Sequence, residues 1–339
     1  MRIVIALGGN ALLHRGEHPE SRIQTQRLAE VAPALARVAM DHQLLIVHGN
    51  GPQVGLLAAE NATDASITVA YPLGDMVAES QGLIGLWLQR SLHNAQLSGP
   101  VAALVCQTVV DTADPAWNAP SKFIGPGYNE ADAKVLSGRY GWAFREDGKR
   151  WRRVVPSPAP VEIVEQDVIA GLLASGVTVI AGGGGGAAVT RDGGVLSGVD
   201  AVVDKDGTAA MLAIHLDADL LIILTDVPAV MAHYGTPHQS AIRSTTCGEL
   251  GRQAFSDGSM GPKVSAAVRF VQSTGRRAAI GSLDCLLEIM SGDAGTQIHP
   301  DGDGTLAMLV KAPAAMRVVR SGAISGAARN RPGLLGRES

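Results

Sequence analysis

Residues 3–10 read Ile-Val-Ile-Ala-Leu-Gly-Gly-Asn, an apolar run that stops on a glycine pair. The same figure recurs as Leu-Leu-Ile-Val-His-Gly-Asn-Gly at 44–51, as Val-Thr-Val-Ile-Ala followed by five glycines at 177–186, and as Leu-Leu-Ile-Ile-Leu-Thr-Asp at 220–226. Apolar runs without polar alternation mark strands covered on both faces, as in a mainly parallel sheet. Val101–Val105 and Ala278–Ile280 extend the set. Between the first two strands, Leu28, Val31, Leu35 and Val38 recur at helical steps within Ser21–Met40, with Ser21 placed to cap the helix and Pro33 placed to bend or split it. Glu162–Ala174 and Thr208–His215 read as further helices before strands. The pattern predicts an α/β fold, an open three-layer αβα sandwich around a mainly parallel central sheet. From about Asp114 to Pro160 the rhythm breaks into Pro, Gly, Trp and charge, which predicts an inserted, partly β excursion.

Composition narrows the function classes. The chain has 339 residues, 46% hydrophobic and 18% charged, enough to bury a large core and too apolar for general disorder. A net charge of −4 gives no electrostatic case for nucleic-acid binding. The most apolar run, 220–225, is bounded by Asp219 and Asp226, well short of the roughly 20 apolar residues of a membrane span. The N-terminal run reads as a buried strand rather than a secretory leader. Cys106, Cys247 and Cys285 are widely spaced and read as buried structural thiols, which suits a reducing, cytoplasmic setting. Lys311 to Ser339 carries six basic residues and one acid and reads as a disordered tail.

In an open α/β sheet, ligands collect beyond the carboxyl ends of strands. Gly8-Gly9-Asn10, Gly49-Asn50-Gly51, the glycines at 182–186 and Thr225-Asp226 all fall at such ends. Glycine lets the backbone approach a ligand closely, and successive N–H groups can face an anion. No Gly-Lys-Ser/Thr follows, so none is a Walker loop, and none has the dinucleotide spacing. Phosphoryl transfer needs positioning and positive charge above all. Lys205 stands between Asp204 and Asp206, which can fix its direction and keep it charged; Lys263 follows Gly261-Pro262 at a helix start; Lys122 lies in the excursion. The nine histidines have no metal-like spacing, and no Gly-x-Ser-x-Gly elbow occurs.

In order along the chain come ALGGNAL, VHGNGPQVG, AESQG, PSKFIGPGY, WRRVVPSP, IAGGGGG, GVDAVVDKD, ILTDV and GSMGPKV. Together, from Met1 to about Ile298, they resemble the carbamate kinases of the amino acid kinase superfamily. The resemblance implies reversible transfer between ATP and carbamate, giving ADP and carbamoyl phosphate, with Mg2+ carried by the nucleotide and not by a protein metal site. It implies a cytoplasmic homodimer working in nitrogen catabolism toward ATP synthesis, with no nucleic-acid or membrane partner. It also implies a kinase domain over 1–310, with a substrate-side lobe to about 180, a nucleotide-side lobe from 181, and a subdomain at about 114–160 protruding over the site. By the same resemblance Gly8, Gly9 and Asn10 cradle the transferred group, and Gly49, Asn50 and Gly51 hold the carbamate. Lys205 and Lys263 neutralise the phosphates. Asp204 orients lysine, Asp206 lies near the nucleotide, and Lys122 descends from the subdomain. Thr225, Asp226 and Met231 border the nucleotide.

The chain departs from the family pattern at Phe123 and Gly127 beside Lys122, at Gly207, at Pro228 and at Met231. Two other readings stay open on the sequence: a kinase of another small acid on the same fold, and a non-catalytic nucleotide-binding regulatory subunit.

Overall fold

The computed structural model describes residues 1–13, 17–50, 52–64, 66, 70–255 and 260–302. Gly51 and the tail at 311–339 lie outside the described residues. The chain opens with β1 (Arg2–Leu7), α1 (Ser21–Asp41), β2 (Gln43–His48), α2 (Gln53–Thr63) and α3 (Leu73–Asn94). There follow β3 (Val101–Ala103), β4 (Gln107–Val110), β5 (Lys122–Tyr128), α4 (Glu130–Tyr140), β6 (Ala143–Asp147), β7 (Arg150–Val155), β8 (Pro160–Ile163), α5 (Gln166–Ala174) and β9 (Thr178–Ile180). Next come β10 (Ala187–Asp192), β11 (Val195–Val202), α6 (Lys205–His215), β12 (Leu220–Thr225), β13 (Met231–Ala232), β14 (Ser240–Ala241) and β15 (Ser244–Thr246). The last described elements are α7 (Cys247–Gly251), α8 (Met260–Thr274), β16 (Ala278–Ser282), α9 (Leu286–Ser291) and β17 (Thr296–His299).

The central sheet runs β15-β17-β16-β12-β1-β2-β9-β3, and every neighbouring pair is parallel except β16–β17. Alternation on β1 explains the layers. Ile3, Ile5 and Leu7 pack with α1 (Leu28, Leu35) and α3 (Ile84, Leu88) on one face. Val4 and Ala6 pack with α6 (Ala209, Leu212) and α8 (Ala267, Phe270) on the other. These five β1 residues are essentially inaccessible. A strand so covered must be apolar on both sides, so its run lacks polar alternation.

Residues 122–155 form a separate three-stranded antiparallel sheet, β5-β7-β6, with α4 between β5 and β6. It is fastened to α2 where Gly55 meets Gly125. A methyl on Gly55 would fall 2.2 Å from Gly125 Cα, and Gly125 itself has φ of +70°. Any side chain at 55 would push β5, and with it Lys122, away from the main body.

Three expectations shift. Ser21 does not cap α1; Glu20 takes the cap position and Ser21 is the first helical residue. Pro33 does not split the helix, which continues through it to Asp41. The helix expected over Glu162–Ala174 starts only at Gln166, because 160–163 form a strand that pairs antiparallel with β4.

Candidate active site

Strand β1 is where the topology divides: β2 lies on one side of it and β12 on the other. The crevice outside the carboxyl ends of such neighbours is where open α/β sheets bind ligands. Here β1 ends in Gly8-Gly9, β2 in Gly49-Asn50, and β12 in Thr225-Asp226. The turns touch. A methyl on Gly49 would lie 3.5 Å from the Gly9 nitrogen and 3.6 Å from Lys205 Cδ.

Not every glycine N–H in these turns is free. Gly8 N–H donates to Leu224 O at 3.0 Å, and Gly49 N–H donates to Leu7 O at 3.1 Å. These bonds pin the turns to β12 and β1. Gly8 is therefore a fastening point, and the donors left for an anion are Gly9 and Asn10, the first residues of a 3-10 turn, where no intrahelical acceptor exists.

Asp204 sets the entry of α6. Its Oδ1 accepts from the N–H groups of Asp206 (2.9 Å) and Gly207 (3.3 Å), an N-cap that starts the helix at Lys205, three residues before the sequence reading placed it. Its Oδ2 accepts from Lys122 Nζ at 2.6 Å, so β5 is tied to the helix start. Asp204 does orient a lysine, but through that bond it is Lys122. Lys205 instead donates to Asp206 Oδ1 at 2.5 Å, and Lys263 donates to Asp206 Oδ2 at 2.9 Å. One carboxylate, only 3% exposed, thus holds two ammonium groups that are 11% and 14% exposed.

The electrostatics follow. Burial alone would raise the Asp206 carboxyl, but Lys205 and Lys263 outweigh it and hold it below the usual carboxylate range. Burial likewise opposes ionised Asp204, and Lys122 and Lys205 reverse the effect. Lys263 is moved up: burial lowers it, and Asp206 more than compensates. Lys205 moves down, because burial and the neighbouring Lys263 charge exceed what its two acids restore. The flanking acids orient this lysine and favour its charged form, while burial and Lys263 work against it. A cluster of ammonium groups half-relieved of solvent and short of anions is a site prepared for phosphate oxygens.

Thr225 donates to Asp226 Oδ1 at 3.2 Å, and the Asp226 charge acts on Lys263. Met231 lies on the β13–β14 ribbon opposite Ala241. The five-glycine run is buried, with positive φ at Gly182, Gly184, Gly185 and Gly186. Its Gly185 carbonyl accepts from Thr108 Oγ1 (2.5 Å) and Thr208 Oγ1 (3.0 Å), which locks the run to β4 and α6. Those two threonines carry no sequence signal of their own.

His48, whose spacing suggests no metal, carries no sequence signal either. Its ring is 2% exposed, and burial pushes the imidazole down to about 4, aided by the Lys205 charge. The unfolded chain therefore takes up a proton between pH 6.5 and 4 that the folded ring refuses, and stability falls with pH across that window. The expected loss from this group is about 3 kcal/mol by pH 4. Urea midpoints of the parent and His48→Asn at pH 7 and 4 check it, and a parent that loses no more than the variant overturns it. Cys106 is raised to about 12 by burial, and Cys106, Cys247 and Cys285 are all free.

The comparisons agree with this geometry. Residues 1–282 match the model of the amino acid kinase family. Carbamate kinase of Escherichia coli K12 is 48% identical over 296 residues, covering 87% of this chain and 98% of that protein. Carbamate kinase of Rhizobium meliloti is 45% identical over 302 residues, covering 88% and 93%. The structure of Giardia lamblia carbamate kinase bound to AMP-PNP superposes with a TM-score of 0.81 at 37% identity, covering 88% of this chain and 98% of that one. Sheet order, strand-end turns and likeness along most of the chain converge: the chain belongs to the amino acid kinase family, among the carbamate kinases.

Proposed function

We propose that the chain transfers a phosphoryl group reversibly between ATP and carbamate, forming ADP and carbamoyl phosphate. The observation that carries this reading is the lysine–aspartate cluster at the β1 and β2 turns: Lys205 and Lys263 on Asp206, with Lys122 on Asp204 beside them. The carbamate oxygen is already ionised and attacks the terminal phosphorus directly, so no general base is needed. Negative charge spreads over the transferred oxygens in the transition state. Gly9 and Asn10 N–H groups and the Lys205 and Lys263 ammonium groups answer it, while Lys122 leaves Asp204 for the carbamoyl end. The turn at 49–51 holds the carbamate, and Thr225 and Asp226 border the nucleotide.

Both carboxylates of the cluster are committed to lysines, and magnesium is read as part of the nucleotide substrate. Residues 114–160 act as the subdomain over the site, with substrate-side and nucleotide-side lobes meeting near 180. The working direction is ATP synthesis in nitrogen catabolism, in the cytoplasm. A homodimer is supported by Leu83 and Leu86, which stand exposed one turn apart on α3. Among the described residues no helix is long and apolar enough to cross a membrane. The retained trio of lysines favours catalysis over a regulatory role. Incubation of the purified protein with carbamoyl phosphate and Mg-ADP is expected to yield ATP. No ATP above the non-enzymatic background overturns the proposal.

A further inference from the structure

His48 stands at the end of β2, one residue before the turn assigned above to the carbamate. Its Nδ1 lies 2.7 Å from the carbonyl oxygen of the next residue, Gly49. A carbonyl can only accept, so Nδ1 carries the proton and donates. The far side of the ring is blocked as well. A methyl on Gly183 would fall 2.3 Å from His48 Cε1 and 2.4 Å from Nε2, so the Cε1–Nε2 side of the imidazole abuts the glycine run. The same run receives Asn50, whose Nδ2 would be 2.7 Å from a methyl on Gly184. The Asn50 amide nitrogen is itself buried without a hydrogen-bond partner.

We propose that His48 is a positioning residue for substrate binding: clamped between Gly183 and its neighbour's carbonyl, it fixes the Gly49 peptide so that the following turn and the Asn50 amide face the carbamoyl group. The inference rests on the assignment of residues 49–51 to that group. A peptide plane has two orientations, and only one turns its carbonyl toward the ring of the preceding residue. With Gly49 O held by His48 and Gly49 N held by Leu7 O, both polar ends of this glycine are fixed and its intrinsic freedom is removed. The low basicity of the buried ring keeps it neutral near pH 7, so the ring adds no charge to the lysine cluster. The unpaired Asn50 nitrogen is a donor prepared for a ligand oxygen, since a buried amide without a partner is otherwise costly. None of the histidines has a catalytic or metal pattern in the sequence. What His48 does is conformational, and only the ring's two contacts disclose it.

The test uses two amide variants of the full chain. Asparagine places an N–H close to the position of Nδ1, whereas glutamine places it out near Nε2. H48N is expected to keep the KM for carbamoyl phosphate within about threefold of the parent, as one retained hydrogen bond implies. H48Q is expected to raise that KM by roughly ten- to a hundredfold, the scale of a misplacement near 1 Å. Neither variant should change the KM for ADP or move kcat by more than about threefold. ADP-induced thermal stabilisation, measured in parallel, registers folding and the intact nucleotide end for each variant. If H48N and H48Q bind carbamoyl phosphate alike, His48 does not position the turn and the proposal fails with the substrate assignment intact. If the change falls on ADP, residues 49–51 do not hold the carbamoyl group, and the assignment beneath the proposal fails.

Discussion

Lys205→Met is expected to lower kcat by roughly 10²–10³-fold, the usual cost of removing one donor from a preorganised anion site. Methionine retains the unbranched stem that lies against Gly49, so the turn keeps its packing partner. Asp206 is not orphaned either, because Lys263 still holds its Oδ2 at 2.9 Å. The change therefore removes charge at the transferred group and little else. Interactions made only in the transition state reduce kcat and kcat/KM together, and that is the expected pattern here. The KM for ADP should stay near that of the parent, and the thermal unfolding curve should shift little. Steady-state ATP formation from carbamoyl phosphate and Mg-ADP measures it. A kcat within tenfold of the parent would make Lys205 a structural counterion of Asp206 and would move the chemistry to Lys263.

Much of this cluster was legible in the sequence for definite physical reasons. A parallel strand buried on both faces must be continuously apolar, so β1, β2 and β12 announce themselves, and glycines at their carboxyl ends point to one rim. The charged residues could be nominated because phosphoryl transfer requires cations. Their pairing could not be read, because it depends on distance across the fold. Asp204 adjoins Lys205 in sequence, yet its carboxylate reaches Lys122, 82 residues earlier, while Asp206 gathers both Lys205 and Lys263. The helix start was misplaced for the same kind of reason. The sequence pattern begins a helix only at Thr208, but the Asp204 cap turns Lys205, Asp206 and Gly207 into the first turn of α6. Gly8 was read as a donor to the ligand and is a donor to Leu224 instead, since strand pairing continues one residue past the strand's end. His48 and the threonines on Gly185 act through backbone carbonyls, which any residue supplies.

Asp206→Asn is expected to be the most damaging single change in the chain for stability as well as turnover. The carboxylate is the shared partner of two buried ammonium groups, at 2.5 and 2.9 Å. The amide keeps the shape but supplies no charge, and one end of it presents a donor to an ammonium donor. Asp204 cannot take over, because its oxygens already serve Lys122 and the N-cap of α6. Breaking a buried pair from one side costs about 3–5 kcal/mol, since the remaining charge has nowhere to go. Two charges are stranded here. Turnover should fall with stability as Lys205 and Lys263 repel each other out of position. The pH dependence has a definite sign. The folded carboxyl lies below its ordinary value of 3.8, so its contribution is complete above that value and disappears as pH falls further. Parent and variant should differ most in urea midpoint near neutral pH and converge in acid. Adding Lys205→Met to Asp206→Asn removes one stranded ammonium, and the double variant should be more stable than the sum of the single changes predicts. An Asp206→Asn chain within about 1 kcal/mol of the parent at pH 7, against that expected scale, would show that water and not this carboxylate balances the two lysines.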